Sequence, residues 1–220
     1  MITLAVPFIQ ITLAGAMLGT SLLIFGRMRL KSFVLLFALQ SLALASYAAT
    51  IALITSEHEL LIMAGLIVFV KSLLVPLFLL GVARRSGASA RLHAYLKPTL
   101  ATFLGIVGIA AAFITARAAL SFLGAEYVVT SVAFSLIVLG LMLLIIRRDL
   151  FGQSIGFLVM ENGIFLFGLA LSSGLPLLVE IGIFLDVLVG FMLMGGLAYR
   201  VQKEHHSVGT ELLNTLTDRI

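Results

Sequence analysis

The sequence predicts an all-α, polytopic membrane protein with about seven transmembrane helices. Of its 220 residues, 61% are hydrophobic and only 11% are charged, and the mean hydropathy is +1.22. A soluble domain of this composition would expose far too much apolar surface to water. The apolar residues also fall in runs of roughly 17–25, the length that a helix needs to cross a bilayer. Lipid is therefore the solvent that suits this chain.

Seven apolar runs define the predicted spans. The first run lacks the basic leader and the clear small-residue cleavage site of a secretory signal peptide, so it is interpreted as a permanent span. The predicted spans are residues 3–25, 33–54, 60–82, 99–116, 128–146, 153–172 and 175–198.

The Lys and Arg residues predict the orientation of these spans. They cluster after spans one, three, five and seven, at residues 27–31, 84–97, 147–148 and 200–203. Loops rich in Lys and Arg stay on the cytoplasmic side of a membrane. The N-terminus is therefore predicted to be outside and the C-terminus inside. Because the formal net charge of +4 is spread between apolar runs, the bilayer is the expected partner and nucleic acid is not.

A linker near residues 84–98 divides the chain into two halves. Residues 1–98 form an N-terminal transmembrane half, residues 99–203 a C-terminal half, and residues 204–220 a cytoplasmic tail. Gln40 and Glu161 are related by a shift of 121 residues, and Lys71 and Asp186 by a shift of 115. These shifts predict a parallel repeat of helices 1–3 and 5–7. The alternative is coincidence between apolar segments.

Three carboxylates lie in the last two predicted spans: Glu161, Glu180 and Asp186. A charged side chain near the bilayer centre costs about 2.5–3.5 kcal/mol even on the most favourable insertion scale. Such residues usually face protein or a water-filled path and mark ion or proton pathways. The three acids therefore predict a proton relay. Glu180 is nearest the outer surface, and the alternative for it is exposure to solvent.

One basic residue lies equally deep in the membrane. Lys71 is about 16 Å into the third span at 1.5 Å per residue, and Asp186 lies at a similar depth in the last span. Either the two residues belong to the relay, which we favour, or they form a purely structural ion pair. Pro76, just beyond Lys71, predicts a kink that frees backbone carbonyls.

Two amide side chains are weaker candidates for the relay than the charged residues. Asn162 lies beside Glu161 and can donate a hydrogen bond to it, and Gln40 lies in the second span. Amides in transmembrane helices more often hold neighbouring helices together than line a path.

No enzyme active site is visible in the sequence. The chain has no cysteine, so it offers no thiolate nucleophile and no cysteine-ligated iron–sulfur cluster. Its four histidines fall in loops or in the tail, without the spacing of metal ligands. The predictions are therefore no catalytic residue, no metal and no cofactor in this subunit. Any redox chemistry belongs to a partner.

The motifs that hold these residues resemble a known membrane-protein family. Residues 71–77, 160–163 and 179–186 look like those of hydrogenase-4 component E, and the resemblance covers nearly the whole chain. Residues 127–203 are also similar to the K subunit of respiratory complex I and the C subunit of multisubunit sodium/proton antiporters. The K-subunit pattern implies a relay role for Glu161 and Asp186. It also places Leu158 where its first Glu would be, one turn before Glu161.

The resemblance implies a non-catalytic membrane subunit of a complex-I-like assembly that moves protons. That assembly would be a group 4 hydrogenase or formate hydrogenlyase in the inner membrane of a prokaryote. Its other parts would be antiporter-like membrane subunits and a cytoplasmic arm carrying iron–sulfur clusters and a nickel–iron centre. The alternatives are a subunit of a multisubunit cation/proton antiporter, a stand-alone transporter and a passive scaffold.

Overall fold

The computed structural model describes residues 2–85, 91–120 and 127–171. Its regular structure in these ranges is helical, without a β-strand, which confirms the all-α prediction. A π-helix interrupts the third span. The elements are α1 Ile2–Phe25, α2 Leu30–Thr55, α3 His58–Ile67, the π-helix Val68–Leu74, α4 Val75–Arg85, α5 Pro98–Leu120, α6 Tyr127–Ile146 and α7 Leu150–Leu171.

Six spans in the described ranges are long and apolar enough to cross a membrane. One of them, His58–Arg85, is built from α3, the π-helix and α4. The first six predicted spans are thus confirmed as apolar helices, with ends within a few residues of those predicted. The seventh predicted span, residues 175–198, lies outside the described residues together with its Glu180 and Asp186. The total of seven stays a prediction.

Local sequence explains where several helices begin and end. α5 begins at Pro98, because the first turn of a helix does not need the N–H that proline lacks. α2 ends at Thr55, and Ser56 follows in the left-handed conformation with φ 56°, a common way to close a helix. Short connections of this kind make consecutive helices antiparallel neighbours.

The buried core of the bundle consists of two apolar clusters at different levels. One cluster lies toward the basic loops and includes Phe37 and Leu143. The other lies toward the opposite end and includes Leu44 and Leu136. In each pair the first residue lies in α2 and the second in α6. These two helices are antiparallel, so the two residues of a pair lie at the same level of the bundle. A layer of buried polar side chains lies between the two clusters.

α6 and α7 make the most extensive helix contact among the described elements. A Cβ atom added to Gly163 would lie 2.8 Å from the backbone nitrogen of Ile137, and one added to Gly156 would lie 2.9 Å from Cβ of Leu143. Only glycine allows the two backbones to approach so closely, as in other membrane helix pairs. This contact fixes α7, and with it Glu161, against the centre of the bundle.

The basic loops that the structure describes meet at one end of the bundle. The backbone N–H of Leu92 donates to the carbonyl of Met28 at 2.7 Å, and that of Tyr95 donates to the carbonyl of Ile146 at 2.9 Å. The Lys and Arg clusters in every second loop of the sequence predict that these loops lie at the same end. That this end faces the cytoplasm stays a prediction.

Cysteine labelling tests the orientation, because the chain has no cysteine of its own. Ser56 and His93 are both exposed and lie at opposite ends of the bundle. On intact cells, an impermeant thiol reagent is expected to label Ser56→Cys and to leave His93→Cys unlabelled until the membrane is opened. The reverse labelling pattern would contradict the predicted orientation.

Candidate functional site

The polar layer between the two apolar clusters is the candidate functional site. Its side chains come from α1, α2, the π-helix and α7, and each is at most 2% exposed. Buried polar groups in a membrane protein need partners within the protein, because lipid supplies none. The polar layer consists of Ser21, Gln40, Ser41, Lys71, Glu161 and Asn162.

Lys71 and Glu161 form an ion pair in this layer. The Lys71 Nζ lies 2.8 Å from Oε1 of Glu161 and 4.4 Å from the centroid of the Phe165 ring. A desolvated ammonium over an aromatic face gains further cation–π stabilisation. Removing one partner of a buried ion pair typically costs about 3–5 kcal/mol, because the remaining charge is left uncompensated. Each of the two charges therefore makes the burial of the other tolerable.

The π-helix presents Lys71 to this layer. The backbone N–H of Val75 donates to the carbonyl of Val70, five residues earlier, and Pro76 follows with no N–H to donate. Lys71 is the only buried residue of the π-helix. Where Pro76 predicts a kink, the structure thus has a π-helix in the preceding turn. Such π-segments are rare and frequently occur at functional sites.

Asn162 connects the ion pair to α2. Its Oδ1 accepts a hydrogen bond from Nζ of Lys71 at 3.3 Å. Its Nδ2 donates to Oε1 of Gln40 at 3.3 Å and to Oγ of Ser41 at 3.1 Å. If the Asn162 amide were reversed, its NH₂ group would face the Lys71 ammonium, donor against donor. The orientation of this amide is therefore determined by its neighbours.

A chain of hydrogen bonds continues from Gln40 to α1. Nε2 of Gln40 donates to Oγ of Ser21 at 2.6 Å, and this hydroxyl donates to the carbonyl of Met17 at 2.9 Å. From Lys71 to Met17, every link donates in the same direction. This polar chain ties four membrane-spanning segments together and begins at the ammonium group that it helps to hold.

Four of the residues predicted from sequence meet in the polar layer: Lys71, Glu161, Gln40 and Asn162. Two others, Glu180 and Asp186, lie outside the described residues. Lys71 contacts Glu161, a partner that depth along the helices did not single out. The alternative raised from depth, a structural ion pair between Lys71 and Asp186, stays untested because Asp186 lies outside the described residues.

Ser21 was not among the predicted site residues. A serine in an apolar span is a weak signal, because its hydroxyl usually bonds a carbonyl of its own helix, as that of Ser21 does. Leu158, which the K-subunit pattern aligns with a Glu, is fully buried in the apolar cluster near the basic loops. The carboxylate of Glu161 lies one turn further along α7.

A second buried charge lies at the basic end of the bundle. Arg147 is only 1% exposed, and its Nη2 donates to the carbonyls of Phe25 and Arg27 at 3.4 and 3.0 Å. Carbonyls at the end of a helix such as α1 lack helical partners, so this guanidinium acts as a cap. Burial lowers the pKa of Arg147 from its ordinary value, while the nearby Asp149 carboxylate raises it. An arginine nevertheless remains charged. From the sequence, Arg147 is interpreted only as an orientation signal, and its burial is not predicted.

These features define a polytopic α-helical membrane protein with an ion pair buried at mid-bundle. The chain is 32% identical over 209 residues to hydrogenase-4 component E of Escherichia coli (strain K12), a match that spans 93% of this chain and 94% of the relative. The same values hold for hydrogenase-4 component E of Shigella flexneri. The uncharacterized protein Rv0085 of Mycobacterium tuberculosis is 28% identical over 210 residues, again 93% of this chain and 94% of the relative. No family model and no solved structure matches the chain.

The chain belongs to the hydrogenase-4 component E family. This confirms the resemblance found in its sequence motifs.

Proposed function

We propose that this chain is a membrane subunit of a hydrogenase complex and that its polar layer carries protons while the complex turns over. Membership of the hydrogenase-4 component E family supports the first part. The ion pair between Lys71 and Glu161 carries the second part, since buried charges at this depth typically mark proton or ion pathways.

The ion pair offers a simple proton step. Over 2.8 Å, a proton can pass from the Lys71 ammonium to the Glu161 carboxylate. One N–H bond breaks, one O–H bond forms, and a neutral amine and acid replace the two charges. A neutral pair costs less to bury, whereas an ion pair gains more from polar neighbours. A small helix movement that changes these neighbours therefore shifts the balance between the two states.

The polar chain supports this step by positioning Lys71. Carboxamides do not readily gain or lose protons, so we assign Asn162 and Gln40 to holding the ammonium rather than to carrying the proton. Asp186 and Glu180 would continue the path in the last predicted span. For these two carboxylates to receive the proton from Glu161, the last predicted span must pack near α7.

Redox chemistry would be supplied by partner subunits. Iron–sulfur clusters are held mainly by cysteine thiolates, and this sequence contains none. In the part of the chain that the structure describes, no group of three His, Asp or Glu side chains could hold a metal ion. We propose that the iron–sulfur and nickel–iron centres lie in a cytoplasmic arm, beside antiporter-like membrane subunits. The membrane would be the inner membrane of a prokaryote.

Purification of the tagged chain in mild detergent tests this proposal. Mass spectrometry is expected to find hydrogenase subunits and antiporter-like membrane proteins with it, and vesicles holding the complex should move protons when hydrogen is oxidised or evolved. A set of cation-antiporter subunits without a hydrogenase would contradict the proposal. So would a chain that purifies alone and transports ions by itself.

A further inference from the structure

The three described basic loops form one ordered surface, which we call the basic platform: residues 27–29, 91–97 and 147–149. Its middle segment is bonded on both sides. Arg29 pairs with Arg91 in an isolated β-bridge, and Ala94 pairs with Arg147 in another. The backbone N–H of Arg148 also donates to the carbonyl of residue 93 at 3.1 Å. The platform is therefore a connected layer rather than three independent loops.

The only carboxylate at this end, among the residues that the structure describes, is turned into the platform. Oδ2 of Asp149 accepts a hydrogen bond from the backbone N–H of His93 at 2.8 Å, and Oδ1 accepts one from that of Gly152 at 2.7 Å. The second bond places the negative charge at the N-terminus of α7, where it is favourable. Asp149 thus helps to build the platform and offers little neutralisation to its outer surface.

The outer surface of the platform carries several exposed cations. Arg27, Arg29, Lys97 and Arg148 are all exposed. Tyr95 is 67% exposed, and the Arg148 guanidinium lies 4.6 Å from the centroid of its ring. Cations crowded on one surface repel each other, and an anionic partner would relieve that repulsion.

Membrane orientation alone does not account for this order. The positive-inside rule depends on the number of Lys and Arg residues near the helix ends, and flexible loops satisfy it equally well. Here, hydrogen bonds between loops hold the backbone that carries the charges in a fixed position, and the buried Arg147 fastens the layer to the end of α1. A surface whose backbone is already ordered loses less entropy on binding.

We infer that the basic platform is the docking surface for an acidic face of a soluble protein subunit. Arginine and tyrosine are enriched among the residues that dominate protein–protein binding. Arg148 and Tyr95 are residues of these two types, and they lie in contact at the exposed surface of the platform. The middle segment 91–97 is bonded to the loops that follow α1 and α6, so it lies over the ends of these helices. This inference rests on the proposed function, in which the soluble subunit belongs to the hydrogenase arm.

Salt-induced release of the arm from membranes carrying the whole complex tests the inference. The variant Arg29→Gln/Arg148→Gln removes two platform charges and leaves the backbone bonds between loops intact. We expect it to weaken attachment of the arm about tenfold, the size expected for two lost charge pairs, so that less salt releases it. The matched control Arg84→Gln/Arg85→Gln removes two exposed cations of α4 and should release the arm at the wild-type salt concentration.

The possible outcomes separate the two proposals. If the platform variant releases the arm at the same salt concentration as the wild type, the inference that the platform is the docking surface is overturned. The same holds if the α4 control weakens attachment as much as the platform variant does. In both cases the arm itself still binds. Complete absence of a hydrogenase arm from wild-type membranes overturns both proposals. Loss of the arm from the wild type in vesicles of neutral phosphatidylcholine, with recovery on adding anionic lipid, shows that lipid mediates attachment and overturns direct protein docking.

Discussion

Glu161→Gln is expected to lower proton translocation by the complexes that still assemble by at least about 100-fold, the lower end of what a positioned proton-transfer group contributes. Because the change leaves the Lys71 ammonium without its carboxylate partner, less complex is expected to assemble. Glutamine keeps the size of the side chain and can still accept a hydrogen bond from Lys71, but it cannot take up a proton. Hydrogenase activity with artificial dyes should be unchanged, because that chemistry lies in partner subunits. The measurement is the number of protons moved per electron in inverted vesicles.

Two further variants control this experiment. Glu59→Gln removes an exposed carboxylate from the first turn of α3 and should pump normally. Glu161→Asp keeps a titratable group in the polar layer and should retain part of the activity, because only the reach of the side chain is shortened. A Glu161→Gln complex with the normal proton-to-electron ratio would make Glu161 a structural residue and exclude it from the relay.

Lys71→Leu and Glu161→Leu are each expected to destabilise the subunit by about 3–5 kcal/mol, whereas the double variant should lose far less than the sum. Each single change leaves one charge buried without its partner at 2.8 Å. The double change leaves two apolar side chains in a mostly apolar bundle. Thermal unfolding in detergent and the amount of subunit assembled in the membrane both measure the effect.

A second double-variant cycle, combining Lys71→Leu with Asp186→Leu, tests the pairing predicted from depth alone. If Glu161 is the main partner of Lys71, the coupling with Asp186 should be clearly the smaller of the two. Additive losses for Lys71 and Glu161, together with strong coupling between Lys71 and Asp186, would contradict the ion pair seen in the structure. Comparable coupling in both cycles would mean that the ammonium group is shared.

The helices could be predicted from the sequence because length and apolarity are local properties. The predicted span 128–146 corresponds to α6, Tyr127–Ile146, and the predicted span 99–116 corresponds to α5, Pro98–Leu120. The largest of these differences is at the end of α5. Arg117 ends the apolar run there, but an arginine side chain can reach back to the membrane surface while the helix continues.

The charged and amide residues of the polar layer could be predicted from sequence, but Ser21 and the pairing of Lys71 could not. Burying Lys71 or Glu161 in lipid is expensive, so residue type and depth alone identify them as unusual. Helix rise gives the level of a residue in the membrane but not which helices are neighbours, and several acids satisfy the same depth. The burial of Arg147 could not be predicted from sequence either. A basic residue in a loop already had a sufficient explanation as an orientation signal.

The π-helix Val68–Leu74 changes how the third span must be compared with other sequences. An α-helix turns by about 100° per residue, and a π-turn accommodates one extra residue. A helical wheel numbered from His58 therefore assigns the wrong face to the residues after Leu74. Relatives in which this span is a regular α-helix should align with a one-residue gap within 68–74. Such a gap would preserve the outward and inward faces of both flanking helices.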